Sequence, residues 1–553
     1  MSRPVEVSRA RPELDGVVGT LRSGLSSWLS LPLPERVSLL RTLRGRIGAR
    51  ADEIVAATSA AQGVGSTGRW AAEPWGGPLA MVQAVRSLEH VLGRLAAGKD
   101  PLASRPITVR NDGSVVVEVF PSWWDERVFF AGHRGQVWLA PGLTAEQVRR
   151  GAGTAYRGHG FDQPGVALLL GGGNAVTLVV TDLLHLMFEQ GCVVAVKMNP
   201  VLDYLRPHME DVLAPFLARD WVRFVDESVP TAQYLAGHPG IDRIHMTGSR
   251  ATYDALMWGA DDRADSRRET GQRLVDKPFT AELGGVAPMI VVPGAWSGDD
   301  VRRQADVIVS AKLANVGHLC ASPQVLVLPA GWPHAEPLLG EIRRLMRALP
   351  PRAPWYPGTD AKVARAVAGQ PNVEELGGPG RRILVHLDPA EQASLFTDEV
   401  FADVLGVVRL PADSVPAFLD RAVGFANNQL AGTLAASLLI DNETQQTYAA
   451  AIDRATAGLR YGSIGINNAF EAAALGSTTW GAYPGHTPEA IGSGLGKVLN
   501  SYLLPHPQRS VVTTPFRPRP TPQGPEAFRR LVGYWATDDL RRLPGILLTA
   551  LRT

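Results

Sequence analysis

Between residues 165 and 257 the chain alternates short apolar runs with longer amphipathic ones, and this alternation constrains the fold more than any other feature. "GVALLL" precedes "AVTLVVTDLLHLMFEQG", which closes on Gly191; "CVVAVK" precedes "YLRPHMEDVLAPFLA". "WVRFV" and "IDRIHM" follow, the latter running into "TGS" and another helical stretch. Continuous apolar runs bounded by glycine and polar residues read as strands buried on both faces, which calls for helices on either side of a parallel sheet. The pattern predicts an α/β fold with an open, doubly wound sheet. Such sheets take ligands at the carboxyl ends of their strands.

The flanks differ in texture. Val37, Leu39, Leu40, Leu43, Ile47 and Ile54 recur near a 3.6-residue period within the first hundred residues, and "AVRSLEHVLGRLAAG" repeats the pattern. From about 105, "PITVRNDGSVVVEVFPS" alternates around Asn111-Asp112-Gly113 and reads as a β-hairpin, with "GQVWLAPG" as another short strand. "SVVTT" near 510 offers a matching strand, "VVTTPFRPRPTPQGPEAF" is a proline-rich linker, and "EAFRRLVGYWATDDLRRLPGILLTALRT" reads as a short helical appendage.

Composition excludes several function classes. Lys+Arg at 55 against Asp+Glu at 54 gives no electrostatic case for nucleic acid or an anionic membrane. Two cysteines rule out a disulfide framework and a cysteine-rich zinc site, so no metal is expected and a reducing cytoplasm fits best. The start, "MSRPVEVSRARPELDG", lacks the apolar core of a secretory signal. "GVALLLGGGNAVTLVV" is glycine-rich and shorter than about 18 residues, so no membrane span is expected.

Several residues carry potential chemistry, and each also has an ordinary reading. Cys320, in "ANVGHLCASPQVLVLP", is a nucleophile or a small core hydrophobe. Glu282, in "AELGGVAP", is a general base at a strand end or a turn-flanking surface carboxylate. Thr247, Gly248 and Ser249, in "HMTGSRATYDAL", open a helix whose free N–H groups suit a phosphate; Ser249 alone also reads as an N-cap. Lys197 ends "CVVAVK", at a cofactor crevice or simply in solvent, and Asn174, in "GGGNAV", is an oxyanion donor or a turn residue. Cys192 reads as core. Trp123-Trp124 reads as packing, a subunit contact or a tunnel wall; His318 as a turn residue; Arg206 and His208 as a solvated helix start.

Taken in order, these segments resemble the aldehyde dehydrogenase superfamily. "ELGG" at 282–285 followed by N-x-G-x-x-C at 315–320 is similar to that family's general-base and nucleophile motifs. The 23-residue separation of Asn174 from Lys197 matches the family's oxyanion asparagine and cofactor lysine. "TDEVFADVL" resembles the Glu-Glu-Ile-Phe segment, and "GTLAASLL", "GSIGINN" with Asn467, and "LSLPLPERVSLLRTL" resemble further family segments. The resemblance covers roughly residues 20 to 510.

The resemblance implies a two-domain α/β enzyme. An NAD(P)-binding domain would span 1–104 and 146–282, and a catalytic domain 283–504. A β arm at 105–145 and 505–516 would serve a homodimer or homotetramer, with a helical extension at 517–553. Cys320 would attack a small-molecule aldehyde, Asn174 and the Cys320 N–H would hold the oxyanion, and Glu282 would activate water on the thioester. Lys197, Thr247, Gly248, Ser249, Glu399 and Phe401 would bind NADP or NAD. Two alternatives stand beside aldehyde oxidation: a coenzyme-A-linked reaction, in which a thiol replaces water, and a catalytically silent scaffold.

The departures are specific. "GGGNAV" lacks the flanking tryptophan and proline, Tyr253 stands where many members have glycine, and His318 replaces the usual glutamine. Ala402-Asp403 replaces Gly-Pro, "TTWGAYPGHTPEAIGSGLG" matches the closing motif only loosely, and "WGADDRADSRRETGQRLVDKP" is a long insertion. Pro200 stands where NAD-preferring members often carry a ribose-binding glutamate. On that ground NADP is expected to be accepted at least as well as NAD.

Overall fold

The computed structural model describes residues 11–377, 382–469, 475–517 and 524–550. Residues 1–10 of the amino-terminal stretch, 518–523 of the proline-rich linker and 551–553 of the expected extension lie outside them. Two sheets organise the chain. Three strands come first, β1 (Ile107–Val109), β2 (Val115–Phe120) and β3 (Arg134–Leu139), then the alternating region supplies β4 (Val166–Leu170), β5 (Val193–Lys197), β6 (Val222–Val225), β7 (Arg243–Gly248) and β8 (Phe279–Leu283). After Gly284-Gly285 the chain crosses to β9 (Ala287–Val291) and β10 (Pro323–Pro329), continuing through β11 (Val373–Glu375), β12 (Ile383–Leu387) and β13 (Val404–Leu410). β14 (Ala435–Leu439), β15 (Ser463–Ile466), β16 (Gly494–Leu495) and β17 (Pro507–Thr513) complete the set.

The smaller sheet runs β16-β8-β7-β4-β5-β6. Its five long strands are parallel, and the two central ones have the apolar sequence that burial on both faces requires: every residue of β4 is buried, and only Lys197 of β5 is not. Strand order reverses between β4 and β7. The crevice of a doubly wound sheet opens at that reversal, so the segments after Leu170 and Gly248 are brought together at its mouth.

The larger sheet has eleven strands in the order β1-β2-β3-β17-β15-β14-β9-β10-β13-β12-β11. Gly113, at φ 78°, turns the β1–β2 hairpin, as Asn-Asp-Gly predicts. The segments read as an arm pair with each other, β17 antiparallel to β3, and through β17 they join β15 in parallel. Arg110 clamps this junction with both guanidinium nitrogens on Asp453, at 2.6 and 2.7 Å. β16 returns from the 283–504 segment to pair antiparallel with β8.

The carboxyl-terminal segment is integrated rather than appended. Helix Pro525–Thr537 packs on helices Leu33–Gln62 and Gly76–Ala96. Its Trp535 is fully buried and donates Nε1 to Asp125 Oδ2 at 2.9 Å. Burying an indole of this size on two other helices is the driving force for docking, worth about 3 kcal/mol. The sequence reading missed this because the helix presents one strong apolar stripe and its partner surface lies over four hundred residues away in the chain.

Candidate active site

At the crevice mouth lies a cavity of about 160 Å³. Eight of the nine residues singled out from sequence line it: Asn174, Thr247, Gly248, Ser249, Glu282, Cys320, Glu399 and Phe401. Lys197 does not. It sits at the end of β5 beside Leu170, partly buried, with its Nζ 3.4 Å from the Met198 carbonyl. Burial lowers its pKa, and Glu227 and Asp226 at the end of β6 oppose that shift.

The Cys320 loop is built from unusual backbone. Asn315, Val316 and Gly317 all adopt positive φ, at 51°, 55° and 72°. A β-branched valine pays dearly for that region, so neighbours must over-determine it. They do: Asn174 Nδ2 donates to the His318 carbonyl at 3.1 Å, and Asn315 Nδ2 donates to the carbonyls of Asn174 at 2.8 Å and His318 at 3.1 Å. Gly317 packs against the Ala402 backbone so closely that a Cβ there would collide with it.

His318 is more than a turn residue. It is fully buried, with Nδ1 2.7 Å from the Phe401 carbonyl and Nε2 accepting from the Tyr356 N–H at 3.4 Å. Those partners fix the Nδ1–H tautomer. Burial drives its pKa down to about 4, so the ring is neutral at pH 7.

Cys320 Sγ stands 3.5 Å from Glu282 Oε1. Burial pushes the thiol pKa well above its ordinary value, with the Glu282 and Glu399 carboxylates adding to the shift. Glu282 ends β8, only 4% exposed, and burial pushes it up to about 7. The charge of Asp182 pushes the same way, while the Trp480 Nε1–H, donated to Oε1 at 2.6 Å, holds it down. Among the described residues Oε2 has no partner. A carboxylate at this pKa beside a thiol is suited to take a proton from sulfur or water near neutral pH.

The opposite wall holds Glu399, which burial also pushes up to about 7, countered by Lys362 and the Gly285 N–H. Gly284 lets this carboxylate come against the backbone, and a Cβ there would overlap it. Lys362 lies 5.1 Å from the Phe401 ring centre. Ser249 serves both of its readings: it caps helix Arg250–Met257, accepting from Thr252 N at 3.2 Å, and lines the cavity.

Sequence reading missed Trp480, Asp182, Lys362 and Tyr356, all of which line the cavity. Asp182 is wholly buried, accepts from Thr247 Oγ1 at 2.9 Å and lies 3.7 Å from His245 Nε2. A buried aspartate in the apolar run "LVVTDLL" was the available signal, since an uncompensated carboxylate there is costly. Trp123 and Trp124 take no part in this cavity: Trp123 lines a second one and Trp124 is exposed, so neither walls a tunnel to Cys320.

Known proteins resemble the chain in fold and in part of its sequence. The "Aldehyde dehydrogenase family" description matches residues 217–361. An N-succinylglutamate 5-semialdehyde dehydrogenase of Sphingopyxis alaskensis is 28% identical over 290 residues, 49% of this chain and 54% of that one, so the match spans about half the length of that relative. An NAD-dependent aldehyde dehydrogenase from Sinorhizobium meliloti superposes with a TM-score of 0.60 at 17% identity, covering 92% of this chain and 88% of the other. A mutant aldehyde dehydrogenase C from Pseudomonas syringae, solved with NAD+ and octanal, gives 0.59 at 17% identity, covering 92% and 90%. The chain thus shares the fold of solved aldehyde dehydrogenases, and its residues 217–361 match the description of that family.

Proposed function

We propose that the chain oxidises a small-molecule aldehyde to a carboxylic acid with NAD or NADP as the oxidant. The observation that carries this reading is the 3.5 Å approach of Cys320 Sγ to Glu282, with Asn174 lining the same cavity. In the proposed sequence Glu282 takes the thiol proton and Cys320 Sγ bonds to the carbonyl carbon, placing negative charge on the aldehyde oxygen. Asn174 Nδ2, held beside the loop, and the Cys320 N–H stabilise that oxygen. Loss of hydride leaves a Cys320 thioester. Once Glu282 has released that first proton to solvent, it takes a proton from water, which attacks the thioester and expels the thiolate as the acid departs.

The residues present fit a nicotinamide dinucleotide, which supplies the hydride acceptor when bound. The backbone of Thr247-Gly248-Ser249 opens a helix at the sheet's reversal point, where N–H groups suit a pyrophosphate. Glu399 Oε1 is buried without a partner among the described residues and is suited to a ribose hydroxyl. The charges of Glu227 and Asp226, at the end of β6, act on Lys197, and negative charge beside that lysine would disfavour a 2′-phosphate there.

The buried Glu282 carboxylate supports water, rather than coenzyme A, as the second nucleophile, because water is far less acidic than a thiol and depends more on a base held beside the thioester. Convergence of eight motif residues on one cavity argues against a silent scaffold. Two features support the remaining expectations. The outer edge of β1, with Val109 58% exposed, is suited to pairing in a homodimer or homotetramer. Free cysteines suit the cytoplasm, and among the described residues no helix is long and apolar enough to cross a membrane.

The test is reduced-cofactor production at 340 nm by wild type, Cys320→Ser and Glu282→Gln with short and long aliphatic aldehydes. Turnover abolished in Cys320→Ser and strongly slowed, without a fast first burst, in Glu282→Gln is expected. Wild-type turnover undiminished in Cys320→Ser would sink the mechanism, and cofactor oxidation driven only by an acyl-thioester would reverse the reaction's direction.

A further inference from the structure

A second cavity, of about 490 Å³, opens among helices Leu33–Gln62 and Gly76–Ala96, the Trp123 turn and the end of helix Pro525–Thr537. It shares no lining residue with the Cys320 cavity. Five cationic side chains face two carboxylates across it. The carboxylates are committed: Glu89 accepts from Arg41 Nε at 2.9 Å and Arg44 Nε at 2.8 Å, and Asp538 accepts from Arg44 Nη2 at 2.6 Å. Asp125, behind the wall, takes Arg86 Nη2 at 2.9 Å. Two cations are left over. Among the described residues Arg94 donates Nε to the Asp100 carbonyl at 3.0 Å and meets no carboxylate, and Lys99 meets none.

The wall is built rather than incidental. Arg86 is 8% exposed and lies 4.1 Å from the Trp123 ring centre, and among the described residues its Nη1 has no acceptor. His90 stands edge-on to Trp123 at 5.4 Å. Burial, and then the charges of Arg94, Arg105 and Arg86, lower its pKa to about 4, so the ring is neutral at pH 7 beside these cations. Buried guanidinium groups are normally paired, and an unmatched positive field around an open cavity is complementary to anionic oxygens.

We propose that this cavity binds a small organic polyanion, a phosphate ester or polycarboxylate, with Arg94 and Lys99 as its mobile anion ligands and Arg86 on Trp123 as the fixed one. Asp538 contributes to the wall, so the site is complete only when the carboxyl-terminal helix is docked. An occupant would therefore tie that helix to the amino-terminal pair. The proposal stands apart from the aldehyde chemistry and does not depend on it.

Isothermal titration of the full chain with citrate and with glucose 6-phosphate tests it, at low salt, since surface-accessible charge contacts are screened. At least one probe is expected to bind below about 1 mM, and Arg94→Ala/Lys99→Ala is expected to weaken it about tenfold or more, the scale of a lost charge-assisted contact. Lys197→Ala, at the other end of β5, is expected to leave the affinity unchanged, separating this site from the cofactor crevice. Because Lys99 is exposed, Lys99→Glu alone preserves the fold and must also weaken the probe. Which probe binds distinguishes phosphate ester from polycarboxylate. Absence of binding by both up to about 10 mM, or binding that survives Arg94→Ala/Lys99→Ala or is lost in Lys197→Ala, overturns the proposal.

Discussion

Replacing Trp480 by phenylalanine removes the stronger of the two side-chain hydrogen bonds that favour the ionised Glu282 carboxylate, the other coming from the Cys320 thiol. Trp480 Nε1 donates to Glu282 Oε1 at 2.6 Å, both side chains are buried, and the bond lowers a pKa that burial and Asp182 raise to about 7. A hydrogen bond to a charged group contributes about 1.5–3 kcal/mol, and 1.36 kcal/mol is about one pKa unit. Its loss favours the neutral acid, so the pKa of Glu282 rises, by about one unit at the lower end of that range. At pH 7 the ionised fraction would fall from about one half to about one tenth, and water activation would slow about fivefold. At pH 9 most of the deficit disappears, because the raised group is again ionised. The assay is kcat against pH for aldehyde oxidation, read at 340 nm, with thermal denaturation as the control for folding. An acidic limb moved upward by about one unit, with wild-type rates approached at high pH, is expected. An unmoved limb, or a loss of equal size at every pH, would refute the claim that Trp480 acts by tuning this carboxylate.

Three other perturbations follow from the same geometry. Glu399 titrates at about 7 in the fold because of burial, against 4.5 for the free group. The stability linked to its proton is therefore complete below 4.5 and lost as pH rises through 7, costing about 3 kcal/mol above that. Glu399→Gln should raise the melting temperature at pH 8 and leave it nearly unchanged at pH 5; a fall at pH 8 would show that the ionised form is the stabilising one. Glu227→Ala should raise the ratio of kcat/KM for NADP to that for NAD about fivefold, from roughly 1 kcal/mol of relieved repulsion, and an unmoved ratio would remove Glu227 from the ribose site. Gly317→Ala puts a Cβ at φ 72° against the Ala402 backbone. With about 1–2 kcal/mol for the left-handed residue and more for the collision, it should cut kcat more than tenfold while circular dichroism stays native; full activity would mean that the loop re-forms freely.

How legible was this in the sequence? The parallel sheet was readable because β4 and β5 are buried on both faces and so carry no polar interruption that would blur a strand into a helix. The site followed from spacing, since strand ends and helix starts carry its residues to one crevice mouth. What the sequence hid were contacts between distant segments. Trp480 is 198 residues from Glu282, and Asp125 is 410 from Trp535. No local pattern in either segment names its partner. Lys197 shows the opposite limit: its placement at a strand's carboxyl end was legible, but the acidic pair facing it from β6 depends on which strand lies alongside.

The departures from the family pattern make sense together rather than singly. His318 and Ala402-Asp403 depart from the usual glutamine and Gly-Pro, and the structure puts them in one cluster. The His318 ring donates to Phe401, the residue before Ala402, and Gly317, just before His318, packs on the Ala402 carbonyl. Asp403 is buried, as is Lys312 on the helix leading into the cysteine loop. Burial raises the Asp403 carboxyl and lowers the Lys312 ammonium, and each group's charge opposes the shift of the other. Removing either partner of such a pair leaves a buried charge uncompensated, which is strongly destabilising, whereas replacing both together need not be. Neither Asp403 nor Lys312 lines the Cys320 cavity, yet they flank the turn that presents Glu399 and Phe401 and the helix that presents Cys320. His318, Phe401, Ala402, Asp403 and Lys312 thus form one packed set at and behind the wall of the Cys320 cavity, so a change at one of them is felt at the others.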